Sequence, residues 1–301
     1  MQSVYAMITS KADDLGREEK FLKHSIQKLF DLYVLQLQLL VEVQKMATKN
    51  SELSKKKHLA TKEELAPNTK FIDNKVIFSI ASSQSMLDYI SKNNITNWEL
   101  DDEYVTIIWN KLHSSELYKT YLESTDVSFK SERDFVHEFF KEIIAPNDKL
   151  SDYYEDHTIS WSDDIPFVNT WVVRSLSKIK DKKPFLLGKL YKDEDDQKFV
   201  MDLFRKVILN HTNFENDISK KTPNWEADRI AEVDMILIKM AICEFLHFPS
   251  IPVKVTINEY IEISKDYSTI KSGFFINGVL DKLSREYTEN KSLQKIGRGL
   301  L

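Results

Sequence analysis

The run "RIAEVDMILIKMAICEF", Arg229 to Phe245, constrains the fold more than any other stretch. At helical spacing Ile230, Val233, Ile236, Leu237, Met240, Ala241 and Phe245 share one face, while Met235, Ile238 and Ile242 fill the others. A helix that is apolar nearly all round has to be central, with packing partners on several sides. The spacing predicts this helix over 226–247, with Asp228, Glu232 and Asp234 in its first turns. Its surroundings are expected to be helical too. Six glycines and seven prolines in 301 residues supply few of the turn residues that sandwiches and doubly wound folds use. The expected class is all-α, with a core large enough for one large domain or two smaller ones.

Further helices are expected near 1–9, 17–47, 71–92, 101–112, 115–122, 131–145, 164–180, 194–209, 211–221, 254–267 and 273–288. Thr96 or Asn97 is offered as a cap in "TNWELDDEY". The segment "VLQLQLL" alternates like a strand, but Leu, Gln, Glu and Met are good helix formers and no turn signal brackets the run. "TKNSELSKKKHLATKEELAPNTK" reads as a polar linker. Its Lys55-Lys56-Lys57-His58 cluster reads as solvated loop, since no aromatic residue interleaves with the charges. A constant offset of 64 aligns Phe135 with Phe199, Phe140 with Phe204, Thr158 with Thr222, Trp161 with Trp225 and Asp164 with Asp228. This suggests a degenerate repeat of a helix–helix–Trp unit, with one copy within 131–180.

Several chemistries lack their residues. There is no phosphate-binding or dinucleotide glycine loop, no Cys/His cluster at metal spacing and no nucleophile elbow. The carboxylate pairs Asp101-Asp102, Asp163-Asp164 and Asp195-Asp196 fall at helix starts, where the helix dipole accounts for them. An enzyme is therefore not expected. The single cysteine, Cys243, lies in an apolar run and reads as a buried, inert thiol in a reducing compartment. No apolar stretch reaches the length of a membrane span and no signal-peptide layout opens the sequence, so a cytoplasmic protein is expected. Net charge is −5, yet the segment from Gln197 to Leu301 carries 15 Lys and Arg against 14 Asp and Glu. That third is the part better able to approach a polyanion.

"SGFFINGVLDKL", Ser272 to Leu283, poses a puzzle. Ser272 reads as a helix N-cap, yet Gly278 sits mid-helix, where glycine costs about 1 kcal/mol relative to alanine. On a helical wheel Phe275, Ile276, Val279, Leu280, Leu283 and Tyr287 form the core stripe. Phe274 falls on the opposite side, flanked by Asn277, Gly278, Asp281 and Arg285, so the glycine lies on a face that something else would have to approach.

The phrases "IPVKVTINEYIEI" and "FFINGVLDKL", together with "NWEADRIAEVDMILIKMAICEF", resemble the C-terminal half of the NusB transcription antitermination family. The resemblance covers about 194–288, and "MQSVYAM" resembles part of the family's first helix. It implies NusB-like helical bundles, two packed three-helix bundles, with an additional helical extension. The implied organisation is 1–9 as first helix, 10–190 as extension and 191–301 as the RNA- and protein-binding domain. It further implies binding of boxA-type single-stranded RNA from the ribosomal RNA leader together with ribosomal protein NusE, on RNA polymerase elongation complexes. No catalysis and no cofactor are implied. The RNA-facing residues would be Gln2, Lys265, Lys271, Ser272, Phe275 and Asn277, and the NusE-facing ones Asp228, Glu232 and Asp234. For Phe275 and Asn277 a structural role stands beside the RNA-facing one. Phe274 departs from the family's usual polar or basic residue; it would either stack an unpaired base or pack against the extension.

A second departure is that the arginine-rich segment preceding the family's first helix has no counterpart in this sequence. Phosphate contacts dominate RNA affinity, so losing that segment would weaken binding. That departure supports a second reading, a protein-interaction scaffold that has lost RNA binding. A third, an accessory RNA-binding domain of an RNA-modification system, follows from the resemblance alone, and the absent glycine-rich methyl-donor loop and Cys nucleophile motif speak against it.

Overall fold

A computed structural model describes residues 1–56, 61, 65–221 and 230–300, and among these residues every regular element is a helix. The first seven are α1 (Gln2–Ser10), α2 (Leu15–Lys55), α3 (Lys75–Ala81), α4 (Gln84–Asn93), α5 (Asn97–Leu100), α6 (Asp102–His113) and α7 (Glu116–Glu123). Next come α8 (Phe129–Phe139), continued by a π turn over Phe140–Ile144, then α9 (Asp148–His157) and α10 (Trp161–Ser177). The last four are α11 (Glu194–Lys221), α12 (Glu232–His247), α13 (Val253–Tyr267) and α14 (Ile270–Glu289), with a final 3-10 turn over Gly297–Leu300. They form two compact units: Met1–Lys23 with Tyr191–Leu301, and His24–Leu190.

In the first unit α12 is the central helix that its sequence demanded. Every residue from Ile236 to Phe245 is buried, and α1, α11, α13 and α14 pack against it. Val4 and Met7 of α1 join Phe204, Val207, Leu237, Ile242, Ile276 and Leu280 in one apolar core. Two charged side chains inside this core are matched. Buried Lys239 pairs with Glu215 of α11 at 2.7 Å. Buried Glu244 accepts from the Thr256 hydroxyl at 2.5 Å and from the Tyr260 hydroxyl at 3.3 Å, which fixes α13 against α12. The N-terminal share of the unit does not stop at residue 9. Leu15 and Leu22 of α2 pack on the same core, and Glu19 is clamped by the Arg205 guanidinium, one of whose bonds is 2.6 Å.

The tail after α14 folds back on the unit. Lys295 Nζ donates to the last carbonyls of α12, Glu244 at 3.3 Å and Phe248 at 3.0 Å, as cations do at helix C-termini. The Ile296 amide donates to the Pro249 carbonyl at 3.0 Å. At Gly299 a Cβ would stand 2.1 Å from that same carbonyl oxygen, so only glycine fits.

In the second unit the central helix is α2. Leu32, Tyr33, Val34, Leu35, Leu37, Leu39 and Leu40 are all buried, so the strand-like alternation of "VLQLQLL" is a helix covered on every side. Two of its glutamines donate to other elements: Gln36 to Asn169 at 2.9 Å, and Gln44 to the Ile72 carbonyl at 2.9 Å. Trp98 and Trp161 donate to the Leu35 and Lys28 carbonyls at 2.9 and 2.7 Å.

Local polar residues explain where the expected boundaries move. The helix expected over 71–92 divides, because Asn74 caps α3 from inside the core and Ser83 turns away to bond the Phe185 carbonyl at 2.8 Å. The stretch read as a linker from Thr48 continues α2 to Lys55, with the Thr48 hydroxyl bonded back to the Gln44 carbonyl at 2.9 Å. Lys57 and His58 of its basic cluster lie outside the described residues. Asn147 caps α9, a helix absent from the sequence expectation, by accepting from the Leu150 amide at 3.2 Å. The helices expected over 194–209 and 211–221 are one, α11. Consequently the offset-64 alignment does not repeat a structure: where the first copy breaks at Asn147, the second runs through His211 in mid-helix. Thr222, Trp225 and Asp228 lie outside the described residues.

Candidate functional site

The sequence-expected residues of α14 divide sharply by exposure. Thr269, not Ser272, is the N-cap; its side chain accepts from the Ser272 amide at 3.2 Å, and the Thr269 amide returns a bond to Ser272 Oγ at 3.4 Å. Ser272 is therefore the third residue of a capping box, buried, with its hydroxyl also accepting from Ser268 at 2.8 Å. This corrects the N-cap reading and leaves little of Ser272 to face a ligand. Phe275 is half-buried against the core of the first unit.

Lys271, Phe274, Asn277 and Gly278 are all exposed, the last three on the outward face the wheel assigned them. Phe274 is 78% exposed, and Ile270, one turn earlier on the same face, is 87% exposed. Nothing lies within 4 Å of a Cβ built on Gly278. Beyond it the face ends in an Asp281–Arg285 pair at 2.7 Å. The site is thus an apolar pair, Ile270 and Phe274, bordered by a lysine, an amide and a bare stretch of helix. Sequence reasoning missed Ile270 because it started the helix too late; the spacing of four from Phe274 was the available signal.

Lys265 is exposed on α13 and paired with Glu262 of its own helix at 2.5 Å. Gln2 is exposed on α1, one turn before Tyr5. The Tyr5 hydroxyl donates to Glu232 at 3.0 Å, and this hydrogen bond to a carboxylate raises the phenol's pKa. Gln2 thus lies on the helix that Tyr5 ties to the acidic start of α12.

Of the three acidic residues, Glu232 is exposed and in the first turn of α12. Asp228 lies outside the described residues. Asp234 is only 4% exposed, and its Oδ1 has no hydrogen-bond partner among the described residues. This corrects its expected NusE-facing place: Asp234 turns inward, on the same side of the helix as Leu237 and Ile238.

Burial sets the remaining chemistry of the unit. It pushes the Cys243 thiol up to about 12, so no thiolate forms at neutral pH, and it raises the Glu244 carboxyl. Among the described residues no group of three or more His, Cys, Asp and Glu could hold a metal ion, and no helix is long and apolar enough to cross a membrane.

A family model described as the NusB family matches residues 170–285. Transcription antitermination protein NusB of Salinibacter ruber is 40% identical over 112 residues, which are 37% of this chain and 70% of that protein. This chain belongs to the NusB family. The NusB of Chloroherpeton thalassium is 43% identical over 103 residues, 34% of this chain and 49% of its own length. That of Clostridium botulinum is 41% identical over 93 residues, 31% of this chain and 70% of its own. The solved structure of T. maritima NusB aligns with a TM-score of 0.31 at 25% identity, covering 46% of this chain and 86% of that one. The NusB match begins within α10, ahead of the unit boundary at Tyr191, and takes in α11 to α13 and most of α14. In this NusB-family chain the "IPVKVTINEY" phrase supplies Thr256 and Tyr260, the two hydroxyls that hold Glu244.

Proposed function

We propose that this protein is a transcription antitermination factor. In this reading the outward face of α14, with Lys271, Phe274 and Asn277, binds boxA-type single-stranded RNA of the ribosomal RNA leader. Glu232 at the start of α12 meets the basic ribosomal protein NusE, and the assembly acts on RNA polymerase elongation complexes. Gln2 on the adjoining α1 and Lys265 on α13 contribute at the margins, and no chemical step is involved.

The observation that carries the reading is the exposed pair Ile270 and Phe274 beside Lys271, on a helix otherwise built to pack. Aromatic side chains free of the core provide stacking surfaces for unpaired bases, and each stacked base contributes about 1–3 kcal/mol. Fluorescence anisotropy with a labelled boxA-like RNA, with and without NusE, tests it. Salt-sensitive binding that NusE tightens is expected, with Phe274→Ala weakening it by about 5- to 150-fold. Absence of any salt-sensitive binding, even with NusE present, would overturn the proposal.

A further inference from the structure

The second unit carries a charge asymmetry that its packing role does not use. Between Arg174 and Lys189 there are six basic residues and one acid, Asp181, while the rest of His24–Leu190 holds 16 basic and 24 acidic residues. The six are Arg174, Lys178, Lys180, Lys182, Lys183 and Lys189, and all are exposed. None makes an ion pair with a described residue.

This basic strap is not a loose tail. Ile179 and Phe185 are buried in the unit's core, and the Arg133 guanidinium donates to the Ile179 carbonyl at 3.5 Å. Ser83 donates to the Phe185 carbonyl at 2.8 Å, and Ser85 accepts from the Leu187 amide at 3.0 Å. Gly188 lies against the stacked pair Tyr33 and Trp171, 3.2 Å from each at its Cβ position. The chain between these anchors is therefore fixed, and its cations project from a scaffold already ordered before any ligand arrives. Pre-ordering of this kind removes part of the entropic cost of binding.

We infer that the strap Arg174–Lys189 is a second RNA contact, one that holds the phosphate backbone without reading bases. Fixed cations with no acidic partners and no exposed aromatic ring among them match the demands of phosphate contact, which is electrostatic and sequence-independent. An acidic protein segment would share the charge but not the repeat of one phosphate per nucleotide, which a row of lysines spread over a strap can follow. The inference rests on the proposed RNA-binding function and adds a site to it.

The test uses the full chain with all four lysines 178, 180, 182 and 183 changed to alanine, and separately to glutamate, against a labelled boxA-like RNA across a salt series. If each lysine meets a phosphate, the slope of log affinity against log salt falls by about 0.7 per contact. Raising salt from about 50 to about 200 mM then costs the wild-type chain about 50-fold more affinity than the alanine variant. Circular dichroism checks that both variants fold. An unchanged slope and affinity in both, with Phe274→Ala still weakening binding, overturns the strap and leaves the α14 site standing. No binding by the wild-type chain overturns both. A slope lowered equally with an acidic peptide of matched charge in place of RNA assigns the strap to protein and also overturns the inference.

Discussion

Gly278→Ala isolates the question that the α14 sequence poses. The residue sits in the interior of Ile270–Glu289, exposed, in ordinary helical conformation, with nothing within 4 Å of the position a methyl would take. No contact is lost or strained by adding one, so the effect reduces to intrinsic preference, about 0.8–1.0 kcal/mol in favour of alanine. Amide hydrogen exchange read by mass spectrometry reports it locally. Peptides covering α14 should exchange about four- to fivefold more slowly in the variant wherever opening is local or confined to this unit. Faster exchange of α14 would refute the claim that the space is open. The same variant carries a second readout. If RNA crosses α14 at Gly278, the methyl lowers RNA affinity while it raises stability, a combination that a helix face with no visitor does not give.

Other expectations concern the supports of the site and the second unit. Gly299→Ala drives a methyl into the Pro249 carbonyl and should cost about 1–3 kcal/mol, seen as a lowered urea midpoint with the tail released from the α12–α13 loop. Thr256→Val removes a donor from the buried Glu244 carboxyl and should cost about 1.5–3 kcal/mol in the same assay, whereas Phe274→Ala should leave the midpoint within about 0.5 kcal/mol of wild type. Burial, with Asp163 adding to it, lifts Asp164 from its ordinary 3.8 to about 6, so the folded chain holds a proton there that the unfolded chain has already shed. The stability tied to this group is full below about pH 4 and lost as pH rises to about 6. Asp164→Asn should thus match wild type near pH 4 and exceed it at pH 7 in paired urea titrations.

The central helix of the first unit and the outward face of α14 were legible because both follow from side-chain periodicity alone. Ile236 to Phe245 are apolar nearly all round, Lys239 and Glu244 apart, and all are buried; Phe274 opposes the core stripe and is exposed. What the pattern missed was decided by polar side chains acting over distance. Asn74 looks like any surface asparagine, yet it caps α3 from the core while donating to the Tyr121 hydroxyl. Ser272 looks like a cap, but Thr269 competes for the same amides and wins because the helix starts three residues earlier. Asp234 looks like dipole complementarity, and its inward turn depends on neighbours that sequence spacing cannot rank. The strap at Arg174–Lys189 escaped a charge count that favoured Gln197–Leu301, since the acids of the rest of its unit mask it, and its fixed path depends on Ser83, Ser85 and Tyr33, residues far away in the chain.

One consequence concerns the order in which a ribosome would deliver these parts. Val4 and Met7 of α1 lie in a core whose fully buried members otherwise start at Leu203, and the helices packed on α1 are α11 and α12. The second unit, His24–Leu190, has all its own partners long before that. At about 5–20 residues per second, roughly 11–46 s separate the synthesis of α1 from that of α12. For that interval α1 waits for the two helices it packs on, while the middle of the chain is already free to fold.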